Sequence, residues 1–190
     1  MRLLVIRGTS DRNLLCEFCT TFTQIVEQHC KYIVVSGFLA IASGRSRSTE
    51  DIDMIIDRLS LDRFTVLHHA LILQGFTCMQ SDSPKEIYEY LDELASVRYT
   101  WKDRPLPEME LKFSKDALDD YQLKTRRKIP FTGLDVWFSS VDVNVAFKEE
   151  YLKSEKDLAD ARHLRLIFKD VLDEGEIRKI KEMIRVYRLS

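Results

Sequence analysis

Hydrophobic and polar positions in the first part of the chain follow two periods, one typical of helices and one typical of strands. Apolar residues recur at helical spacing between residues 10 and 30 and predict a helix there. Shorter segments with apolar runs or apolar–polar alternation predict strands over residues 32–35, 51–56, 76–80, 97–102 and 108–113. Glycine and proline are sparse, which indicates closely spaced elements joined by short connections.

Three segments between these strands are typical of helices. Residues 37–42 form a short apolar run. Ser60 is a suitable N-cap for a helix that ends near Gly75, because its hydroxyl can accept a hydrogen bond from a free N–H group of the first turn. The segment Ser83-Pro84-Lys85-Glu86 is a capping box with proline at the first helical position, and it predicts a helix to about residue 95.

The elements change in type beyond residue 113. The last two strands of the first part are expected to pair through a connection around Pro105 and Pro107. Ser114 can then cap a helix that runs through Arg127. The remaining pattern predicts a short strand over residues 134–138, helices from residue 141 onward and a last helix that starts at residues 173–176.

The order of the predicted elements defines a fold class. Strands mixed with helices come first and helices alone follow, which predicts an α+β (mixed α/β) fold with a mixed β-sheet flanked by helices. We expect a core with its N-terminal helix over residues 1–139 and a helical extension packed on it over residues 140–190. At 190 residues and 45% hydrophobic residues, the chain is long enough for one sizeable core with such an extension.

The net charge and the N-terminal segment argue against nucleic-acid-binding and membrane-associated classes of protein. With 29 basic and 31 acidic residues the net charge is −2, so no global basic field attracts nucleic acid or a membrane surface. Residues 3–6 are a run of only four apolar residues, which is too short for a signal peptide or a membrane span. We therefore expect a cytoplasmic protein without a membrane partner.

The cysteine spacing does not predict a metal centre. Cys16 and Cys19 have C-x-x-C spacing, but they lie in a helical pattern in which a spacing of three is also the core period. A zinc site would need a turn between them, and no glycine or proline provides one. Together with Cys30 and Cys78 they are predicted to be buried or half-buried thiols.

The strand predicted over residues 51–56 contains two carboxylates on one face. Residues two apart in a strand project to the same side, so Asp51 and Asp53 lie side by side while Ile52 and Met54 face the core. Two adjacent carboxylates repel each other and raise each other's pKa unless a cation compensates them. Mg²⁺, which prefers oxygen ligands and is often held by one or two carboxylates with substrate phosphates, is such a cation.

The segment before this strand contains groups that can bind phosphate. Gly37 allows a backbone to approach a bulky anion closely, and the helix after it offers free N–H groups. Arg45 and Arg47 can add charge-assisted hydrogen bonds to phosphate oxygens. With the two aspartates, this order of features favours phosphoryl or nucleotidyl transfer. The alternative is structural: an Asp-x-Asp pair also occurs on the solvated face of an edge strand.

Four blocks of the sequence together resemble a known superfamily. They are Ser36-Gly37-Phe38-Leu39-Ala40, Arg47-Ser48-Thr49-Glu50-Asp51-Ile52-Asp53, Ser140-Val141-Asp142 with Lys148, and Lys156-Asp157-Leu158-Ala159-Asp160. In this order they resemble the polymerase-β-like nucleotidyltransferases, and most closely the toxin-type members of abortive-infection and toxin–antitoxin systems. The resemblance covers about residues 32–168, with Ser36 in place of the first glycine of the pattern.

The resemblance implies a minimal nucleotidyltransferase fold and a reaction. The reaction transfers a nucleoside monophosphate from a nucleoside triphosphate to an acceptor hydroxyl on an RNA end, a protein or a small molecule. It implies Mg²⁺ or Mn²⁺ as cofactor, and it leaves a cognate antitoxin open as a partner. The implied nucleotide-binding residues are Ser36, Gly37, Arg45, Arg47, Thr49 and Lys148.

The resemblance also implies three metal-binding and catalytic acids, of which Asp51 and Asp53 are two. We select Glu110 as the third because it lies on an alternating strand ahead of the Ser140 block. Glu108, on the same face, and Asp135 are the alternatives. A competing interpretation makes Glu110 part of a solvated strand face with Lys112 as its partner.

Two other function classes fit the same residues. The fold can be retained in a catalytically weak or inactive protein that binds nucleotides, RNA or another protein, and the absence of an obvious third aspartate favours this alternative. An RNA-binding protein can use the basic residues Lys124, Arg126, Arg127 and Lys128, although the same cluster is favourable at a helix C-terminus for electrostatic reasons alone.

Overall fold

The structure, a computed structural model, describes residues 4–47 and 49–189, with side chains from residue 12 onward. Ser48, which belongs to the second block of the resemblance, and the first three residues lie outside the described residues. The chain divides into two compact units. The first unit is Met1–Tyr32 with Ser48–Phe113, and the second is Ile33–Arg47 with Ser114–Ser190. The predicted division into residues 1–139 and 140–190 stays a prediction.

The elements of the described chain follow in sequence. The helices are α1 (Leu4–Glu27), α2 (Gly37–Ala42), α3 (Leu61–Leu73), α4 (Pro84–Asp92), α5 (Ala117–Lys124), α6 (Val141–Phe147), α7 (Glu155–Ile167) and α8 (Glu174–Arg188). The strands are β1 (Tyr32–Val35), β2 (Asp51–Ile56), β3 (Phe76–Cys78), β4 (Val97–Trp101), β5 (Arg104–Phe113), β6 (Arg127–Lys128) and β7 (Trp137–Phe138). A 3₁₀ turn at Pro130–Thr132 and a π-helical turn at Lys148–Leu152 complete the set.

The first unit is built on four strands in the order β3-β4-β5-β2. β2 runs parallel to β5, and the other two pairs are antiparallel. Helices α1, α3 and α4 pack with these strands and with one another. An aromatic cluster fills the core beside α1: Phe18 makes edge-to-face contacts with Phe76 and Trp101, at centroid distances of 5.6 and 5.0 Å.

The second unit contains strands in the order β1-β7-β6 together with α2 and the helices from α5 onward. β1 is parallel to β7, and β6 is antiparallel to it. Phe38 stacks on Phe138 at a centroid distance of 6.2 Å. The buried residues Ile177, Ile180 and Ile184 follow the helical period and form the packed face of α8. The predicted class, a mixed β-sheet flanked by helices, is confirmed.

Several boundaries agree with the sequence pattern. β1, α2 and β2 have the predicted bounds. Ser60 caps α3, Ser83 caps α4 with Pro84 in its first turn, and Asp173 caps α8. Cys19 and Cys78 are buried, and Cys16 and Cys30 are half-buried, as predicted. In the described part of the chain, no helix combines the length and apolar character that crossing a membrane requires.

The expected loop around Pro105 and Pro107 is wrong. The two strands join through residues 102–103, and both prolines lie in β5. The β4–β5 register shifts between Thr100 and Trp101, so residues 105–107 have no ladder partner on β4. A proline has no N–H to donate, and it is tolerated at such an irregularity.

Two further expectations beyond residue 113 are wrong. Asp116, rather than Ser114, caps α5, because its carboxylate accepts from the N–H groups of Leu118 and Asp119. The helix ends at Lys124, and the next residues turn into β6. The strand expected over 134–138 is reduced to β7, since the 3₁₀ turn ends at Gly133 with φ 71° and the chain enters the strand only afterwards.

Replacement of Ser60 tests the capping of α3. The Ser60 hydroxyl accepts from the Arg63 N–H at 3.4 Å, so Ser60→Ala should lower the free energy of unfolding by about 1 kcal/mol. Ser60→Asp retains an accepting oxygen and should stay near the parent value. Urea unfolding followed by circular dichroism measures both, and equal losses in the two variants would contradict the capping role.

Candidate functional site

The acidic face of the first unit is formed by two opposed pairs of carboxylates. In the parallel β2–β5 ladder Asp51 lies opposite Glu108, and Asp53 lies opposite Glu110. Ile52 and Met54, which alternate with the aspartates along β2, are fully buried, so the predicted alternation places the aspartates on the face away from the core. The structure thus brings Asp51, Asp53 and the preferred third acid onto neighbouring strands.

Two cations of the same face bridge these carboxylates. The Lys112 Nζ lies 3.4 Å from Asp53 Oδ1 and 3.7 Å from Glu110 Oε1. The Arg98 guanidinium lies 3.2 Å from Glu108 Oε1 and 3.7 Å from Glu110 Oε2. The Lys112 partnership that sequence reasoning raised as a competing interpretation is therefore present.

Burial of its carboxylate and the nearby charges both shift the pKa of Asp53. Burial raises the pKa of Asp53 above its ordinary value, and the charges of Glu110 and Asp51 raise it further, while Lys112 opposes them. Asp51 is exposed, and its Oδ1 accepts a hydrogen bond from the Thr49 hydroxyl at 2.7 Å. Thr49, predicted to bind nucleotide, thus orients an acid in this structure.

The donor set of the acidic face fits a hard divalent cation. Carboxylate oxygens are the ligands that Mg²⁺ prefers, and a pair whose like charges disfavour ionisation is stabilised by a cation. Within the described residues, no three acidic, histidine or cysteine side chains converge as a metal-holding group in their present conformations. Instead, Lys112 forms ion pairs with Asp53 and Glu110, and Thr49 donates a hydrogen bond to Asp51.

The second unit contains the turn that was predicted to bind phosphate. Ser36 has φ 68° and ψ −134°, a backbone conformation that residues with a Cβ rarely adopt, and its side chain makes no capping hydrogen bond. At Gly37 an added Cβ would lie 2.6–2.8 Å from the Arg47 guanidinium. The close approach that requires glycine here is made by Arg47, so the space predicted for a phosphate contains a guanidinium.

A buried aspartate holds the predicted nucleotide-binding cations together. Asp160 is fully buried and accepts from the guanidinium groups of Arg45 and Arg47 and from Lys148 Nζ at 2.9 Å. Lys148 Nζ also lies 3.3 Å from Asp157 Oδ1. Burial lowers the pKa of Lys148, and Asp157 opposes that shift.

The local sequence explains how this cluster forms. Asp157 and Asp160 are three residues apart near the start of α7, so they lie on one face of the helix. Lys148 begins the π-helical turn that precedes α7. The helix itself is capped by Ser154, whose hydroxyl accepts from the Asp157 N–H and donates to Asp157 Oδ2, so Asp157 contacts both the cap and Lys148.

The remaining candidates lie elsewhere. Asp135 is exposed in the segment before β7 and pairs with Lys128 at 2.6 Å. Arg126 and Lys128 from the predicted basic cluster both lie over the Trp137 ring, at 4.4 and 5.0 Å from its centroid. These contacts give the two residues a structural role in the β6–β7 hairpin.

Sequence reasoning missed the roles of Asp160 and Arg98. Asp160 is part of a block in the resemblance, but the sequence pattern assigns it no role. An acidic residue at a position of α7 that the helical period assigns to the core was the available signal. Arg98 could be linked to the acids only through the β4–β5 register, for which the sequence contains no direct signal.

Comparisons with known proteins identify the fold. No protein-family model and no curated protein matches the sequence. The solution structure of the antibiotic-resistance factor ANT(2'')-Ia matches with a TM-score of 0.55 at 12% identity, covering 94% of this chain and 93% of that one. The crystal structure of ANT(2'')-Ia in complex with adenylyl-2''-tobramycin matches at 0.53 and 14%, covering 95% and 99%.

A third solved structure gives the same result. An antigenic nucleotidyltransferase-like protein from Paracoccidioides brasiliensis matches with a TM-score of 0.53 at 15% identity, covering 96% of this chain and 90% of that one. The chain therefore has a nucleotidyltransferase fold over nearly its whole length, as the resemblance implied. Membership of the toxin-type subgroup stays a prediction.

Replacement of Asp53 tests the cost of a partly buried charge beside other acids. Because the folded state raises the pKa of Asp53, its folded form binds the proton more tightly than the unfolded chain does. Stability from this group is therefore present at low pH and is lost as the pH rises through the folded pKa. Asp53→Asn should raise the free energy of unfolding at pH 7, without metal, by about 0.5–1 kcal/mol.

Denaturant unfolding in a chelator between pH 4 and 8 measures this effect. The Asn variant should also show a flatter loss of stability with rising pH than the parent. Asp103→Asn, in the exposed turn between β4 and β5, is the control for removing one negative charge and should change little. A clear destabilisation by Asp53→Asn would mean that protein donors, rather than repulsion, dominate around Asp53.

Replacement of Ser36 tests the backbone conformation at the turn before α2. Since Ser36 occupies a region of φ and ψ favourable only to glycine, Ser36→Gly should stabilise the protein by about 1 kcal/mol. Ser36→Ala keeps the Cβ and should remain close to the parent. Thermal unfolding compares the three proteins, and an unchanged or lower melting temperature for Ser36→Gly would count against this conformation.

Proposed function

We propose that this protein is a Mg²⁺-dependent nucleotidyltransferase that moves a nucleoside monophosphate from a nucleoside triphosphate to an acceptor hydroxyl. The observation that supports this most is the β2–β5 register, which sets Asp51 and Asp53 opposite Glu108 and Glu110 within a nucleotidyltransferase fold. Paired acids on a strand face have no evident use in folding, because they repel each other and require cations.

In this proposal Asp51 and Asp53 hold Mg²⁺ or Mn²⁺. When bound, the metal neutralises charge on the triphosphate and makes the acceptor hydroxyl easier to deprotonate. Glu110 is the third acid, because it faces Asp53 directly and shares Lys112 with it. Glu108 lies opposite Asp51 and is engaged by Arg98 at the shorter distance. Asp135, exposed and paired with Lys128, has the weakest case.

The cluster around Asp160 has the properties of a triphosphate-binding group. The described ion pairs of this cluster join three cations to two acids, so positive charge predominates among them. Asp160 fixes the directions of these three side chains. Arg45 and Arg47, whose side chains are 20% and 12% exposed, can then bind phosphate oxygens at little cost in side-chain entropy, and the buried Lys148 supports them through Asp160. Backbone groups at Ser36 and Gly37 are proposed to contribute to the same task.

The acceptor is proposed from three classes: a small molecule, an RNA end or a protein. The complex of ANT(2'')-Ia with adenylyl-2''-tobramycin contains a nucleotidylated small molecule, which favours testing small molecules first. The toxin-type resemblance implies instead a cytoplasmic toxin whose acceptor is RNA or protein and whose partner is a cognate antitoxin.

A second candidate function is nucleotide binding without transfer. The ion pairs of Lys112 with Asp53 and Glu110, and the Thr49 hydrogen bond to Asp51, satisfy the acids without a metal. If these contacts persist in the working protein, the acids hold no metal, but the cationic cluster would still bind a nucleoside triphosphate. The protein would gain thermal stability from the nucleotide but release no pyrophosphate.

Pyrophosphate release with labelled nucleoside triphosphates tests the proposal. The parent, with Mg²⁺ and pools of small molecules, RNA or protein, should release pyrophosphate and transfer label to one pool. Asp53→Asn and Glu110→Gln should each lower the rate on the order of a hundredfold or more, because each removes the negative charge of a carboxylate that is proposed to hold the metal. Asp135→Asn should be unchanged.

Glu108→Gln separates the two possible third acids. It should keep most of the activity if Glu110 is the third acid, and the reverse order of the two glutamine variants would transfer the role to Glu108. Nucleotide protection without pyrophosphate release in any pool would favour the binding-only candidate. A parental rate in Asp53→Asn would reject the catalytic role of the acidic face.

A further inference from the structure

Lys112 occupies an unusual position on the acidic face. Its ladder partner on β2 is the apolar Ile55, yet its side chain extends along the strands to Asp53 and Glu110. The Nζ atom lies 3.4 and 3.7 Å from one oxygen of each acid, and a third of the side chain remains exposed at 34%. The ammonium group thus lies against the two acids that face each other across the ladder.

The Lys112 ammonium group offsets the repulsion between two neighbouring carboxylates. Without a cation, the Asp53 and Glu110 carboxylates would repel each other in a partly buried environment, and Lys112 removes much of that repulsion. The oxygens that it contacts are also the ones proposed to hold a divalent cation. Two cations a few ångströms apart repel strongly, so the ammonium group and the metal compete for the same place.

Lysine is well suited to such an exchange, whereas the neighbouring arginine is not. Arg98 contacts Glu108 at 3.2 Å and Glu110 at 3.7 Å with a planar, forked group, and the shorter of these ion pairs is closer than either contact of Lys112. The Lys112 ammonium group is a compact charge on a flexible chain and can turn into solvent. Its two contacts are at the long end of the ion-pair range, so leaving them costs little.

We propose that Lys112 is a resident counter-ion of the acidic face, which takes the place of the divalent cation in the metal-free protein and is displaced when the metal binds. This inference rests on the function proposed above. It assigns to Lys112 a role in setting the affinity of the acidic face for the metal. The metal-free fold is stabilised by Lys112, and the metal alone binds weakly because it must displace a positive charge.

Titration with Mn²⁺ alone tests the inference without turnover. Electron paramagnetic resonance of free Mn²⁺ gives the dissociation constant for the parent and for Lys112→Met, which keeps the length of the side chain and removes its charge. The variant should bind Mn²⁺ about tenfold more tightly, because the repulsion between two nearby cations is gone. Lys112→Arg keeps the charge and should bind Mn²⁺ as the parent does.

Two further measurements make the result specific. Lys85→Met removes a lysine that is exposed and paired with Glu89 in α4, so it should leave Mn²⁺ affinity at the parent value. Thermal melts should show Lys112→Met less stable than the parent in a chelator and at least as stable with saturating Mn²⁺. Asp53→Asn combined with Lys112→Met should lose the gain in affinity, which assigns the bound ion to this face.

The outcomes separate this inference from the proposed function. Equal Mn²⁺ affinity in the parent and Lys112→Met would overturn the role of Lys112 while leaving the metal site in place. Absence of saturable Mn²⁺ binding in both proteins would overturn the inference together with the metal dependence of the proposed reaction. If Lys112→Met and Lys85→Met both bind Mn²⁺ more tightly than the parent and to the same extent, the effect is a general one of net charge, and this result would also overturn the inference.

Discussion

The repulsion between carboxylates across the β2–β5 ladder is the constraint on which the first unit depends. Asp51 and Asp53 face Glu108 and Glu110 on one side of the strands, while the buried side chains of Ile52, Met54, Met109 and Leu111 hold the other side. A slip of one residue would turn acids into the core, so the apolar face maintains the register against the repulsion. Lys112 and Arg98 then reduce the repulsion that remains.

The second unit solves the opposite electrostatic problem. There the buried group is a single acid, Asp160, and a buried carboxylate requires cations and hydrogen-bond donors around it. Arg45, Arg47 and Lys148 supply them, and the glycine at position 37 is what allows the Arg47 guanidinium to lie so close to the backbone. One unit therefore has acids in excess at its candidate site, and the other has bases in excess.

Local physics made most of the elements predictable. Caps such as Ser60 and Ser83, and the period-two pattern of β2, are properties of a few consecutive residues, and these predictions are confirmed. The errors arose where a distant contact decided the outcome. Proline normally ends a strand, but Pro105 lies where the β4–β5 register shifts, and that register depends on packing rather than on the local pattern. Asp116 displaced Ser114 as a cap although both are good capping residues.

In the candidate site, too, features set by neighbouring residues were predictable and features set by distant contacts were not. The two aspartates could be placed on one face of a strand from their spacing alone. The partners of Asp160 could not, because Arg45 and Arg47 are separated from it by more than a hundred residues. The contacts of Lys112 and Arg98 depend on the β2–β5 and β4–β5 registers. The sequence predicted that β4 and β5 pair, but neither their register nor the pairing of β5 with β2.

The interleaving of the two units has a consequence for synthesis. All segments of the first unit have been made once Phe113 is added, whereas the second unit begins at Ile33 and needs Ser114–Ser190. During translation Arg45 and Arg47 therefore emerge long before Asp160, and the turn around Gly37 waits without its buried counter-charge. The cationic cluster can be completed only after α7, which contains Asp160, has left the exit tunnel.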